Sequence, residues 1–134
     1  MNGLLTLKEL STDKIIEIIK YAIELKNGKK VSYPEKKMAT MFFENSTRTH
    51  YSFIKAMLNL DIKVIDFNAS VSSVNKGESL YDTVRTMEAL ELDGVVIRHS
   101  KDEYFKELEL LSFIETVKSF TFSVLGLELS CLTV

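Results

Sequence analysis

The sequence predicts an α/β fold, a parallel sheet flanked by helices on both faces. Two observations carry this. Three short apolar runs, at residues 38–43, 61–67 and 94–97, are each followed by a stretch with helical spacing. The links between them are short, and strand–helix alternation of this kind is what right-handed parallel crossovers produce.

The elements follow in order. Residues 11–27 read as a helix: Ser11 caps it, Asp13 lies in its first turn, and Ile15, Ile19, Ala22 and Ile23 form an apolar stripe. Asn27 and Gly28 are a suitable stop, and Pro34 among lysines marks a loop. Residues 38–43 are apolar and bounded by polar residues, as in a buried strand. Residues 47–60 return to helical spacing, with Phe53, Met57 and Leu60 on one face. In residues 61–67, Ile62 and Val64 alternate with charge, which predicts a second strand. A Ser/Asn/Gly-rich loop spans 68–77, a helix 78–91 carries Leu80, Val84, Met87 and Leu90, a third strand takes 94–97, and a helix is expected at 101–111.

Composition bounds the function. The 134 residues, 46% hydrophobic and 27% charged, suit one globular domain. A formal net charge of −2 gives no basic footprint for nucleic acid or an anionic membrane. Cys131 is the single cysteine, and His50 and His99 stand far apart, so neither a disulfide nor a zinc site is expected. The start carries no basic leader with an apolar core, and no run reaches the ~18 apolar residues of a membrane span. A reduced, cytoplasmic protein is the expectation.

In a parallel sheet the ligand rim lies beyond the carboxyl ends of the strands. Three segments fall there. The first, Glu44-Asn45-Ser46-Thr47-Arg48-Thr49, runs from a buried strand into a helix start, where open amides, hydroxyls and a guanidinium can cradle a phosphate. Its other reading is a plain hydroxyl cap with polar neighbours. The second, from Ser72 through Lys76 to Ser79, adds hydroxyls and a cation, or is a solvated loop turning at Gly77. The third is Arg98-His99, which is a second guanidinium for the same anion or a surface residue. Together they outweigh each alone, because one fold places them on one rim. A nucleotide fold is excluded by the lack of GxGxxG and GxxxxGK[ST].

FFENSTRT, SSVNKGESLYDTVRTMEAL and VVIRH, in this order and spacing, closely resemble the aspartate carbamoyltransferases, over residues 4–108. The sister ornithine carbamoyltransferases share STRT. Phe43-Glu44 before it, the SVNKGES loop and Arg98-His99 favour the aspartate branch. The resemblance implies an N-terminal carbamoyl-phosphate-binding domain and transfer of the carbamoyl group to L-aspartate in pyrimidine biosynthesis, without metal or organic cofactor. It implies that Ser46, Thr47, Arg48 and Thr49 hold the phosphate, with Arg48 and Thr49 near the carbonyl oxygen and Arg98 as a second guanidinium. It further implies that Ser72 and Lys76 reach into a neighbouring subunit's site in a homotrimer, and that Glu44 holds two domains closed. Two small departures are His50, where the family usually has arginine or lysine, and Ser100, where proline is usual.

The larger departure begins at residue 111. The family continues into a glycine-rich turn, an HPTQ-like segment and an aspartate-binding domain, whereas residues 111–134 are apolar and nearly uncharged after Lys118. The division expected is therefore residues 1–110 as the binding domain and 111–134 as a divergent tail. A truncated or frame-shifted gene would give this tail, as would an apolar strand on the sheet edge. The alternative functions are a non-catalytic domain that binds carbamoyl phosphate or assembles with other subunits, or an ornithine carbamoyltransferase-like one.

Overall fold

A computed structural model of the chain describes residues 10–69 and 77–108. The elements are α1 (Thr12–Lys26), β1 (Lys37–Phe42), α2 (Thr47–Asn59), β2 (Lys63–Asn68), α3 (Leu80–Ala89), β3 (Gly94–Arg98) and a 3-10 turn (Tyr104–Leu108). The three strands form one parallel sheet in the order β2-β1-β3. Ser72, Lys76, Cys131 and residues 111–134 lie outside the described residues.

The period-2 alternation of β1 divides the core. Ala39 and Met41 face one side with Val84 and Met87 of α3, Leu92, and Leu108 of the 3-10 turn. Met38 faces the other with Met57 of α2, with Leu60 at that helix's C-cap, and with Ile62. Helices thus cover both faces, as the alternation of the sequence predicts. Thr40 lies in the middle of β1, fully buried on the α2 side, and its polarity matters below.

All three helices end in the same way. After each C-cap the next residue turns left-handed: Gly28 (φ 100°), Asp61 (φ 59°) and Glu91 (φ 57°). The residue that follows sends its amide back to the helix, as Lys29 to the Glu24 carbonyl (3.0 Å), Ile62 to Met57 (3.0 Å) and Leu92 to Met87 (3.3 Å). This is the Schellman arrangement. In α2 and α3 its apolar partners, Met57 with Ile62 and Met87 with Leu92, belong to the two cores. Only Gly28 reaches the left-handed region without steric cost, so Asp61 and Glu91 rely on those apolar contacts.

Three expectations need correction. In α1 the buried residues are Ile18, Ala22 and Leu25, while Ile15, Ile19 and Ile23 are exposed. Both sets recur at helical spacing, and periodicity alone could not say which one docks. The helix expected at 101–111 is a 3-10 turn, because Glu103 has φ 55° and interrupts any helix begun at Lys101. Finally, Arg98 belongs to β3 rather than to the segment after it. The Phe43 amide donates to the Arg98 carbonyl at 2.8 Å and carries the ladder one residue further.

The amino ends of β1 and β3 are tied by Asp93. Its carboxylate accepts from the Lys36 ammonium (2.7 Å) and the Lys37 amide (2.9 Å). Burial pushes this carboxyl upward, but those two hydrogen bonds and the charges of Lys36 and Lys37 outweigh it and hold the group below its ordinary value of 3.8. A lowered folded value stabilises the fold above the ordinary value, and that contribution is lost as the pH falls below 3.8 through the folded value. We predict that Asp93→Asn costs about 1 kcal/mol at neutral pH. Urea unfolding should show the gap between the two proteins closing below that pH, and a gap unchanged with pH would refute the assignment.

Candidate anion site at the carboxyl rim

The segment from Phe43 to Ser46 leaves the central strand at its carboxyl end and enters α2. Here the helix starts differ. Ser11 and Ser79 cap α1 and α3 in the ordinary way, accepting from the Lys14 amide at 3.3 Å and the Asp82 amide at 3.1 Å. Ser46, at the same position in α2, makes no side-chain cap. Its hydroxyl accepts from Arg98 Nη1 at 2.9 Å instead. The first-turn amides of α2 therefore have neither an intrahelical acceptor nor a serine oxygen, and they stand beside a guanidinium.

Arg98 is held from several sides. Nη1 also donates to Thr49 Oγ1 at 3.4 Å, and Nε is ion-paired with Glu44. The register explains the convergence: Arg98 pairs with Phe42, the last residue of β1, so its side chain leaves on the α2 face level with the loop. Arg48 is exposed and makes no hydrogen bond or ion pair among the described residues. Thr47 is exposed as well. Arg48 is thus uncommitted among the described residues, whereas Arg98 is already paired with Glu44.

On the other side of this loop an open cleft of about 600 Å³ lies towards β2, with Glu44, Ser46, Thr47, His50, Asp66 and Asn68 among its lining residues. The loop is bordered by Arg98 on one flank and by this cleft on the other. A polar cluster closes the cleft's inner wall. Thr40 donates its hydroxyl to Asp66 Oδ1 at 2.9 Å, and His50 Nε2 lies 2.8 Å from the same oxygen. The His50 ring stacks on Phe42 with centroids 4.4 Å apart.

Of the residues singled out in the sequence, Glu44, Ser46, Thr49 and Arg98 are in direct contact, and Thr47 and Arg48 lie between them in α2. The sequence reading missed Thr40, Asp66 and the contacts of His50. One signal was available: Thr40 in an apolar run and Asp66 in period 2 with Val64 put two polar side chains on the face that α2 covers. Among the described residues no group of three or more His, Cys, Asp and Glu could hold a metal ion.

We predict a contrast between the serines. Ser79→Ala should cost about 1 kcal/mol, the usual worth of a serine cap. Ser46→Ala should cost less than about half of that, because Ser46 caps nothing. Thermal unfolding of both variants decides, and equal losses would show that Ser46 does stabilise its helix.

The chain is similar in sequence and fold to known proteins. A family model described as "Aspartate/ornithine carbamoyltransferase, carbamoyl-P binding domain" matches residues 2–121. An aspartate carbamoyltransferase catalytic subunit of Malacoplasma penetrans is 46% identical over 112 residues, covering 83% of this chain and 37% of that protein. Its counterpart in Streptococcus pyogenes serotype M5 is 50% identical over 110 residues, covering 81% and 35%. Among solved structures, Trypanosoma cruzi aspartate transcarbamoylase in complex with carbamoyl aspartate and phosphate superposes with a TM-score of 0.70 at 32% identity, over 79% of this chain and 36% of that one. The catalytic subunit of M. jannaschii aspartate transcarbamoylase gives 0.67 at 38% identity, over 79% and 37%. The chain spans about a third of the length of these relatives. It belongs to the aspartate/ornithine carbamoyltransferase family, as a carbamoyl-phosphate-binding domain.

Proposed function

We propose that the rim between β1 and β3 binds carbamoyl phosphate, and that the chain supplies this part of an aspartate carbamoyltransferase in de novo pyrimidine biosynthesis. The observation that carries the reading is Ser46, whose hydroxyl is given to Arg98 rather than to its own helix. That arrangement leaves the first amides of α2 open beside the Arg98 guanidinium, and Arg48 lies in the same helical turn. The relatives support the choice of ligand and acceptor, since those with the highest identity above are aspartate carbamoyltransferase catalytic subunits.

The chemistry asks for little else. The α-amine of L-aspartate attacks the carbonyl carbon, the new C–N bond forms as the carbonyl oxygen takes up negative charge, and the nitrogen sheds a proton. Collapse then breaks the C–O bond and releases phosphate. Fixed donors near the carbonyl oxygen and cations on the leaving phosphate lower that barrier. In this reading Ser46, Thr47, Arg48, Thr49 and Arg98 bind the phosphate, and Arg48 and Thr49 also approach the carbonyl oxygen. Binding displaces Glu44 from Arg98 and frees it to bridge to the rest of the protein. Ser72 and Lys76 complete a neighbour's site in a cytoplasmic homotrimer. The carbamoyl-phosphate domain is assigned to residues 1–110, with 111–134 apart from it.

Two measurements test the proposal. Arg48→Ala should weaken carbamoyl phosphate or phosphate binding by about 1.5–3 kcal/mol, the range for a charge-assisted hydrogen bond. Calorimetry giving equal affinities would remove Arg48 from the site. The second concerns turnover. The 134 residues by themselves should bind carbamoyl phosphate yet form no carbamoyl aspartate, because positioning the amine can be worth ~7–11 kcal/mol of barrier and the chain spans only about a third of its relatives' length. A colorimetric assay should register product only when a polypeptide with the remaining two-thirds of a relative is added. Ordinary turnover by the chain alone would overturn the division of labour.

A further inference from the structure

We infer that His50 is the positioning residue of the anion rim, the group that fixes the first turn of α2 against the sheet. The inference rests on the anion reading above, but its structural half is independent of any ligand.

His50 is the fourth residue of α2, and two sets of contacts meet in it. Its amide donates to the Ser46 carbonyl at 3.3 Å, the first main-chain bond of the helix. Its ring reaches across β1 to Asp66 on β2. A carboxylate only accepts, so Nε2 carries the proton and donates to Asp66 Oδ1. The same oxygen accepts the Thr40 hydroxyl proton, so one carboxylate oxygen gathers β1, β2 and α2. Thr40 Oγ1 stands 3.3 Å from Nε2, behind that bond. Phe42 stacked on one side and Tyr51 at 5.3 Å leave the imidazole little rotational freedom.

This anchor matters because Ser46 is not tied down by a cap. The first turn of α2 is held from the β3 side by Arg98, through Ser46 and Thr49. It is held from the β2 side by His50. An anion that takes the Nε or Nη1 donors of Arg98 must redirect it, since Glu44 and the two hydroxyls already occupy those donors. The β2-side tie touches none of the groups assigned to the anion. It can keep the Ser46–Thr49 amides in place while Arg98 changes partners. A displacement of about 1 Å at such a point is enough to spoil a preorganised site. The cluster presents no accessible nucleophile, because Thr40 is fully buried.

The test uses the chain with inorganic phosphate as the probe, together with amide hydrogen exchange without ligand. His50→Ala should speed exchange at the His50 and Tyr51 amides by about tenfold while α1 and α3 keep their protection, and it should raise the phosphate Kd by about tenfold. His50→Gln, whose amide can still donate to Asp66, should restore both to within about threefold. Unchanged exchange and affinity in His50→Ala would overturn the inference. So would a uniform loss of protection across all helices that glutamine fails to rescue, because that marks a packing role only. A wild-type chain that binds no phosphate defeats the anion reading instead, and the anchoring role of His50 then stands or falls on the exchange data alone.

Discussion

The constraint on which the rest of the structure depends is the position of β1. It is hydrogen-bonded on both edges and covered on both faces, with Ala39 and Met41 packed under α3 and Met38 under α2. A strand so enclosed can end in only one place, the carboxyl rim, and its continuation must turn there into a helix. The rim residues of the neighbouring strands are then fixed by register. Phe42 is level with Arg98 on one side and Asn68 on the other. The site is a consequence of that register more than of the loop that carries its motif.

A helix start ordinarily satisfies its own amides, and two of the three here do so with serine. At α2 the serine is diverted to a cation on a neighbouring strand. The diversion gives up local helix stability for a concentration of donors in one place, which is the usual trade where a fold carries a site. Glu44 balances the charge of Arg98 while no anion is present, so the rim does not leave that guanidinium without a counter-charge.

Much of this was legible in the sequence, for identifiable reasons. The three strands and three main helices announce themselves because their apolar residues keep the period of the element they form. The loop with STRT was legible because a buried strand running into hydroxyls and arginine is an unusual junction. Boundaries shifted by a residue or two, as at β1 and α3, where the ladder and the Ser79 cap decide the end. The docking face of α1 was not legible, because two apolar stripes compete and only tertiary contact chooses between them. Of the His50–Asp66–Thr40 cluster only the shared face of Thr40 and Asp66 was legible, since no local pattern shows that residues 26 positions apart meet at one oxygen.

The strand order has a kinetic side as well. The central strand precedes both of its neighbours in the chain, so no part of the ladder can form before it does. Thr40 and Asp66, which join β1 to β2, are 26 residues apart, whereas Lys37 and Asp93, which join it to β3, are 56 apart. Closing the longer segment costs about 0.7 kcal/mol more in chain entropy, and the α2 crossover is the more local of the two units. Arg98 reaches the rim only through the longer closure, so the cradle is complete only once the most distant pairing of the sheet is made. On the proposed function, competence to hold an anion is in that sense a report on whether the whole sheet has assembled.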